Sequence, residues 1–214
     1  MARLLRFVIA CGMLFALSIT ALGNGETGGW EQVMVGLDKD LWNVKFVDGE
    51  RGWIVGEKGT ILATTDGGKN WLLQDSGVSC LLRGVDFADK DNGWAIGGGS
   101  MMPKGGRMNI RNMMNSERAV ALHTTDGGKS WRKVRTGNVN FTYWHVEMID
   151  KNNVWLISGL GRGHSDGHWS RSTNGGKKFS MPPVEYHRPA RPLYDVCFTD
   201  VKNGWCVGGH STIN

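Results

Sequence analysis

Glycine-rich turns carry the acidic side chains whose type and spacing first suggest chemistry. Asp66 and Asp126 each follow a Thr-Thr pair and precede Gly-Gly-Lys, and Asn174 holds the same place in a third copy. A carboxylate in such a turn could act as a general acid or bind Ca²⁺. The repetition favours a structural role instead, because a catalytic group is needed once whereas a folding device is needed in every repeat.

These turns are predicted to be stabilised by hydrogen bonds between their own residues. The aspartates can accept hydrogen bonds from backbone N–H groups of their own turn, and a threonine two residues earlier can add another. The second glycine allows a positive φ, and an aromatic side chain covers the turn. The predicted structural positions are Thr64, Asp66, Gly68, Trp71, Thr124, Asp126, Gly128, Trp131, Ser172, Asn174, Gly176 and Phe179.

A second set of residues stands at one equivalent position in four repeats: Trp42, Arg83, Trp144 and Tyr194. Each lies at the start of the first strand of its repeat, beside the central channel that such repeats would enclose. Aromatic and arginine side chains at a channel mouth resemble the anchors of protein interfaces, so this set is a predicted partner-binding patch. Packing between neighbouring repeats would explain the same residues equally well.

A long insertion, residues Gly98–Arg118, adds three cations to the predicted partner-binding residues: Lys104, Arg107 and Arg111. Methionines are frequent in this insertion, and methionine-rich surfaces adapt to different partners. Thioethers could also bind Cu(I), although such a loop is more often solvated. The pair His164 and His168 lacks a third spaced metal ligand. The sequence therefore predicts no metal and no cofactor.

Alternating polar and apolar residues from Leu41 onward predict short β-strands. Each repeat has a first strand, a short polar turn, a Gly-Trp strand such as Gly52–Gly56, a third strand that ends in the aspartate turn, and a fourth strand. Four antiparallel strands, repeated about four times, predict an all-β fold, a β-propeller of four-stranded blades.

Connectivity sorts the turns onto two ends of the blades. Because adjacent strands are antiparallel, the turns between first and second strands and the aspartate turns share one end. The remaining connections share the other end, vary in length, and include Gly98–Arg118, Gly159–Gly167 and Pro182–Pro192. Irregular connections on a rigid scaffold commonly carry function, so function is predicted at the end opposite the aspartate turns.

Two cysteines in the last repeat, Cys197 and Cys206, flank Phe198 and Trp205 and are predicted to be cross-strand neighbours. A disulfide between them is compatible with an oxidising compartment. Antiparallel neighbours often fail to reach disulfide geometry, however, so the pattern leaves the bond open.

The N-terminus is predicted to be an export signal. Arg3 and Arg6 precede an uncharged apolar run from Phe7 to Leu22, so residues 1–23 are expected to be cleaved. The run is short for a membrane span, and no stable membrane span is expected after cleavage. The mature chain is predicted to reach the periplasm, the thylakoid lumen or the exterior. Its mild positive charge gives no indication of nucleic-acid binding.

The turns match the Asp-box (BNR) repeat, Ser/Thr-x-Asp-x-Gly-x-x-Trp, and the longer unit Gly52–Trp71 resembles the photosystem II stability/assembly factor family. The similarity covers roughly residues 30–214, within which Asn174 and Phe179 depart from the box pattern. The resemblance implies an exported, non-catalytic propeller that binds another protein as an assembly or stability factor. A photosystem II subunit is the implied partner if the source is photosynthetic.

Asp-boxes also occur in sialidase-like glycoside hydrolases, whose sites need paired carboxylates, or a tyrosine with an acid, together with arginines. The channel mouth offers Tyr194, Asp195 and Arg83, but no second acid and no arginine cluster. A carbohydrate-binding propeller could instead use Trp42, Trp144 and Tyr194 as stacking platforms. Protein binding without catalysis is the main prediction, and a glycan is the alternative ligand.

The blade count allows two arrangements of the predicted domain, residues 24–214. The fourth unit begins at Tyr194, and the sequence stops at Asn214 before a further Asp-box, which favours an incomplete ring truncated at its C-terminus. Alternatively, Trp30–Val33 is a fourth strand that closes a small four-bladed ring.

Overall fold

In the computed structural model, the described residues are 29, 33, 35–99, 119–136, 142–158, 168–180 and 193–208. They form β-strands joined by turns, with one short 3-10 turn at Glu57–Gly59. Within these ranges, no helix is long and apolar enough to cross a membrane. The predicted features outside them include the export signal, Trp30–Gln32 of the candidate closing strand, the loop cations Lys104, Arg107 and Arg111, and the connections Gly159–Gly167 and Pro182–Pro192.

The first two sheets are complete four-stranded blades. Blade 1 contains β1 (Leu41–Phe46), β2 (Gly52–Gly56), β3 (Ile61–Thr64) and β4 (Leu72–Gln74). Blade 2 contains β5 (Leu82–Phe87), β6 (Gly93–Gly97), β7 (Val120–Thr124) and β8 (Arg132–Lys133). In both sheets the strands are antiparallel and neighbours in space follow their order in the chain. The predicted blade is therefore confirmed.

The third and fourth sheets repeat the pattern over the part of the chain that is described. Blade 3 contains β9 (Tyr143–Met148), β10 (Val154–Ser158) and β11 (His168–Ser172). A single bridge between Arg171 and Ser180 marks the place of its fourth strand. Blade 4 contains the hairpin β12 (Leu193–Phe198) and β13 (Gly204–Gly208).

The core lies between blades. The second strands of blades 1 to 3 are buried along their whole length, because both faces of each strand are covered. The first strands of successive blades also contact one another: β1 with β5, β5 with β9, and β9 with β12. The first strands thus form the inner layer of the arc of blades.

Hydrogen bonds confirm which turns share an end. The Asp-box glycines Gly67, Gly127 and Gly175 donate their N–H groups to carbonyls in the turn between first and second strands of their own blades. At the opposite end, Gly98 donates to the carbonyl of Leu81, just before β5. The long insertion that starts at Gly98 therefore leaves from the end opposite the Asp-boxes, as predicted.

The prediction that Cys197 and Cys206 are cross-strand neighbours is wrong. Cys197 pairs with Trp205, and Cys206 pairs with Val196, because the turn after β12 pairs Phe198 with Gly204. Side chains alternate between the faces of a strand, so this shift of one residue places the two thiols on opposite faces. Both cysteines are exposed and free.

Candidate functional site

The four residues of the predicted partner-binding patch occupy β-bulges. In β1, Leu41 pairs with Gly56 and Asn43 pairs with Val55, which leaves Trp42 as an extra residue. The same register shift leaves one extra residue in each of the other first strands: Arg83, Trp144 and Tyr194. Bulges redirect side chains and recur at rims and beside binding sites, so one backbone device positions the whole set.

Three of these side chains come together; for Tyr194 only the backbone is described. The guanidinium carbon of Arg83 lies 4.9 Å from the ring centroid of Trp42 and 4.4 Å from that of Trp144. Both distances are within the range of cation–π attraction. We call this arrangement, which joins blades 1, 2 and 3, the Trp–Arg–Trp stack. The stack packs between blades, as one of the two sequence interpretations expected, and it leaves Trp144 44% exposed. Binding of a partner by these residues stays a prediction.

Arg83 carries a positive charge that no acidic side chain among the described residues neutralises. Burial lowers the pKa of its guanidinium, although arginine stays protonated in proteins. Its Nε is buried and has no hydrogen-bond partner in the described part of the chain. A half-buried guanidinium between two indoles is thus a ready donor for a carboxylate or carbonyl oxygen.

Carboxylates on the inner strands accept hydrogen bonds from the next blade. Asp86 Oδ2 accepts a hydrogen bond of 2.5 Å from the N–H of Met148, and its Oδ1 lies 2.7 Å from Lys45 Nζ. Glu147 accepts a 3.4 Å bond from the N–H of Phe198. Burial raises the pKa of Asp86, although Lys45 and the Met148 N–H oppose the rise. These acids therefore serve contacts between blades.

His145 follows Trp144 and connects blade 3 to blade 4. Its Nδ1 lies 2.9 Å from Asp195 Oδ1, and its Nε2 lies 3.7 Å from Glu147 Oε2. Sequence analysis missed this contact, because no spacing along the chain relates the residues. Within the described ranges, no group of three or more His, Cys, Asp or Glu side chains could hold a metal. His164 lies outside those ranges, and the backbone of His168 begins β11.

Each Asp-box is closed by its own side chains. In the first box, the N–H of Gly68 donates to Thr64 Oγ1 at 3.0 Å, and the Thr64 hydroxyl donates to Asp66 at 2.8 Å. Asp66 also accepts bonds from the backbone and side-chain N–H groups of Asn70. The second box repeats this with Thr124, Asp126 and Ser130.

The third box keeps the geometry with changed residues. Ser172 accepts the N–H of Gly176 at 2.9 Å, and Asn174 accepts the N–H of Lys178 at 3.0 Å. Phe179 packs edge-on against Trp94 of the preceding blade, 5.6 Å between ring centroids. An amide oxygen and a phenyl ring thus occupy the places of the carboxylate and the indole.

The second box has a further role that sequence analysis missed: it clamps the preceding blade. The carbonyl of Gly127 accepts bonds of 3.1 Å from Trp53 Nε1 and from Gln74 Nε2. Trp131 Nε1 in turn donates to Gln74 Oε1 at 3.1 Å. The only signal in the sequence is Gln74 at the end of a fourth strand, and it points to no partner by itself.

Replacing Gly128 with alanine is expected to lower the free energy of unfolding by about 1–2 kcal/mol. Gly128 has a φ of +85°, and a Cβ there would overlap the side-chain amide of Gln74, which holds the clamp. Gly77→Ala is the control, because Gly77 has a φ of +66° with no atom within 4 Å of the added Cβ. Denaturant unfolding should show the larger loss for Gly128→Ala; equal losses would contradict the clamp.

Acid is expected to weaken the Asp-boxes. The Asn70 N–H groups lower the pKa of Asp66 to about 2, and Ser130 lowers that of Asp126 to about 2. Since both values lie below the ordinary 3.8, the carboxylates stabilise the fold above that pH and lose this contribution as the pH falls through 2.

The double variant Asp66→Asn with Asp126→Asn provides the measurement, because Asn174 shows that the turn accepts an amide. Its melting temperature should fall less steeply than that of the parent chain between about pH 4 and about pH 2. Parallel curves would show that the two carboxylates contribute nothing to acid sensitivity.

Comparison with known proteins identifies relatives of this chain. A family model described as "Photosynthesis system II assembly factor YCF48" matches residues 23–106. "Photosystem II assembly lipoprotein Ycf48" of Prochlorococcus marinus is 26% identical over an alignment of 156 residues, which covers 60% of this chain and 46% of the relative. "Photosystem II stability/assembly factor HCF136, chloroplastic" of Oryza sativa subsp. japonica is 29% identical over 115 residues, covering 49% of this chain and 23% of the relative.

A solved structure, "YCF48 bound to D1 peptide", has the same fold, with a TM-score of 0.53 and 21% identity. The alignment covers 70% of this chain and 41% of that one. This chain thus spans less than half the length of each of these three relatives. Its blades, its Asp-boxes and these matches lead to one conclusion: the chain is an Asp-box (BNR) β-propeller that resembles the photosystem II stability/assembly factor family.

Proposed function

We propose that this chain is an exported, non-catalytic β-propeller that binds another protein as an assembly or stability factor. The Trp–Arg–Trp stack is the observation that carries the proposal. It presents a cation without an acidic partner among the described residues, framed by two indoles, one of them 44% exposed. Tryptophan and arginine are the residue types that most often dominate the energy of protein interfaces.

The proposed ligand is a peptide segment of a photosystem II subunit that places a carboxylate or carbonyl oxygen against Arg83. The names of the relatives support this partner class, and the solved relative is described as bound to a D1 peptide. The loop cations Lys104, Arg107 and Arg111 belong to an insertion that starts at the same end as the stack. We propose these three cations and Tyr194 as further partner-binding residues.

The proposal includes export of the protein. In this proposal residues 1–23 are removed, and the propeller of residues 24–214 is located in the periplasm, the thylakoid lumen or the exterior. The lipoprotein and chloroplastic names of the relatives support a location outside the cytoplasm of the source cell or within an organelle.

Titration with a synthetic peptide of the D1 protein tests the binding face. Arg83→Ala is expected to weaken binding about tenfold, because it removes the charge and empties the space between the indoles. Arg83→Lys should bind with intermediate affinity, since it keeps the charge but loses the planar group that stacks on both rings. Arg132→Ala is the matched control, because Arg132 is exposed on the outer strand β8. Unchanged affinity in Arg83→Ala would overturn the proposal.

A glycoside hydrolase or a carbohydrate-binding propeller remains the rival class, and the names of the relatives give it no support. The inner-strand acids Asp86 and Glu147 are engaged in bonds to the next blade. Hydrolysis of aryl glycosides, or glycan binding that disappears in Trp144→Ala, would replace protein binding as the function.

A further inference from the structure

A pocket of about 380 Å³ lies at the end of blade 1 that carries the Trp–Arg–Trp stack. Its walls come from three connections: the segment before β1, which supplies Lys39, the β2–β3 turn, which supplies Lys58, and the connection after β4, which supplies Ser76. The antiparallel register of the blade places all three connections at the end opposite the Asp-boxes. The pocket and the stack therefore share one end of the chain's blades.

Hydrogen bonds between the three connections fix the walls of the pocket. Glu57 donates its N–H to the carbonyl of Asp40 at 2.9 Å, and Gly59 donates its N–H to the carbonyl of Cys80 at 2.6 Å. Gly59 has a φ of +71°, and a Cβ added there would lie 2.0 Å from the carbonyl oxygen of Val78, so the backbones approach too closely for a side chain. The pocket is therefore formed before any ligand binds.

Two ammonium groups without an acidic partner give the pocket its charge. Neither Lys39 nor Lys58 forms an ion pair within the described part of the chain. The acidic residue among those that line the pocket is Asp75, whose carboxylate accepts the N–H of Gly77 at 3.0 Å. With two cations and one carboxylate in its walls, the pocket attracts an anionic group.

Two further features of the pocket are typical of binding sites. Lys58 has a φ of +55°, and it is the one residue other than glycine with a positive φ in the described ranges. Backbone strain of this kind gathers at ligand sites. Thr60, which also lines the pocket, is 2% exposed, and its Oγ1 has no hydrogen-bond partner among the described residues. Buried hydroxyls are rarely unpaired, so a polar group or a bridging water in the pocket would satisfy this one.

We propose that this pocket, which we call the Lys39–Lys58 pocket, binds an acidic side chain of the partner protein. The inference rests on the proposed function, because it adds a second contact to the peptide that Arg83 is proposed to bind. Lys39 precedes Trp42 of the stack by three residues, so their Cα atoms are at most about 11 Å apart. An extended peptide advances about 3.3 Å per residue, so an acidic residue about three to five positions from the group on Arg83 reaches the pocket.

The composition of the walls favours an amino-acid side chain over a free inorganic anion. Leu73 and Val78 line the pocket together with the two lysines. An aspartate or glutamate has methylene groups that these apolar side chains can cover and a carboxylate that the ammonium groups can bind. A phosphate or sulfate ion makes only the second kind of contact.

Calorimetric titration of the full chain with a synthetic D1 peptide that contains acidic residues tests the pocket. The double variant Lys39→Gln with Lys58→Gln is expected to weaken binding about fivefold, since each ion pair near the surface contributes a modest part of the affinity. The control is Lys69→Gln with Lys129→Gln, which removes the same charge from exposed lysines in the Asp-boxes, at the opposite end. Its affinity should match that of the parent chain. Circular dichroism checks that both double variants fold.

Replacing the acidic residues of the peptide with their amides, one at a time, identifies the group in the pocket. At one position, the amide peptide should bind the parent chain about fivefold more weakly than the acidic peptide does. The same replacement should cost nothing further with the variant that lacks both lysine charges, because the two changes remove one interaction. Independent losses at every position would mean that no acidic side chain binds in the pocket.

The results separate this inference from the proposed function. If Arg83→Ala weakens binding but the Lys39→Gln, Lys58→Gln variant matches its control, the pocket is overturned and the proposed function stands. If the lysine variant weakens binding and Arg83→Ala does not, the pocket is supported and the proposed role of the stack is overturned. A parent chain that does not bind the peptide overturns both.

Discussion

Replacing Trp94 with alanine is expected to lower the free energy of unfolding by about 3–5 kcal/mol, the largest effect of any single substitution considered for this chain. Trp94 is 0% exposed, stacks on His123 with 4.4 Å between ring centroids, and contacts Phe179 of the next blade. Its removal leaves a cavity between blades 2 and 3 that neither rigid sheet can fill.

Trp205→Ala is the matched control, because Trp205 has the same strand position in blade 4 and is 66% exposed. Measured by denaturant unfolding, its effect should stay within about 0.5 kcal/mol. Similar losses in the two variants would mean that blades 2 and 3 do not pack through Trp94.

Replacing Asp86 with alanine is expected to cost about 2–3 kcal/mol, because the N–H of Met148 and the ammonium of Lys45 lose their partner. Asp86 is 3% exposed, so solvent replaces little of what is lost at Met148. Lys45 is 40% exposed and can turn to water, which keeps the cost below that of a fully buried pair. Asp86→Asn retains an acceptor for the N–H of Met148 and should lose less than half as much.

The pH dependence of Asp86 has the opposite sign to that of the Asp-boxes. Burial raises the pKa of Asp86 above its ordinary 3.8, so the folded state holds this proton more tightly than the unfolded state. Its contribution to stability is present below pH 3.8 and is lost as the pH rises through the raised pKa. Asp86→Asn should remove this loss from the stability profile measured by denaturant unfolding. A profile unchanged from the parent chain would show that Asp86 titrates alike in both states.

Both substitutions act on contacts between blades, which is also where the candidate binding face is formed. Arg83 lies between indoles from the blades on either side of its own, so the stack exists only while three blades keep their spacing. Substituting Trp94 or Asp86 should therefore weaken peptide binding, although neither residue belongs to the stack. In this fold, the proposed binding face and the stability of the chain depend on the same contacts between blades.

The sequence alone determined the elements and their order. Gly-Trp strands and Asp-box turns are local features, because alternation, turn hydrogen bonds and positive φ depend on residues a few positions apart. Antiparallel connectivity then placed the Asp-boxes at one end and the long insertion at the other, as the bonds of Gly67 and Gly98 confirm. The equivalent positions of Trp42, Arg83 and Trp144 were also visible, because the repeat aligns them.

Only the tertiary structure decided what these residues contact. A bulge is a property of two paired strands, so no alternation pattern could show that Trp42 and Arg83 are extra residues in their ladders. The shift of one residue that separates Cys197 from Cys206 arose in the same way. The clamp of Gly127 on Trp53 and Gln74 joins residues distant in the chain. Such contacts depend on how one blade packs against the next. The spacing of residues along the chain gives no information about this packing.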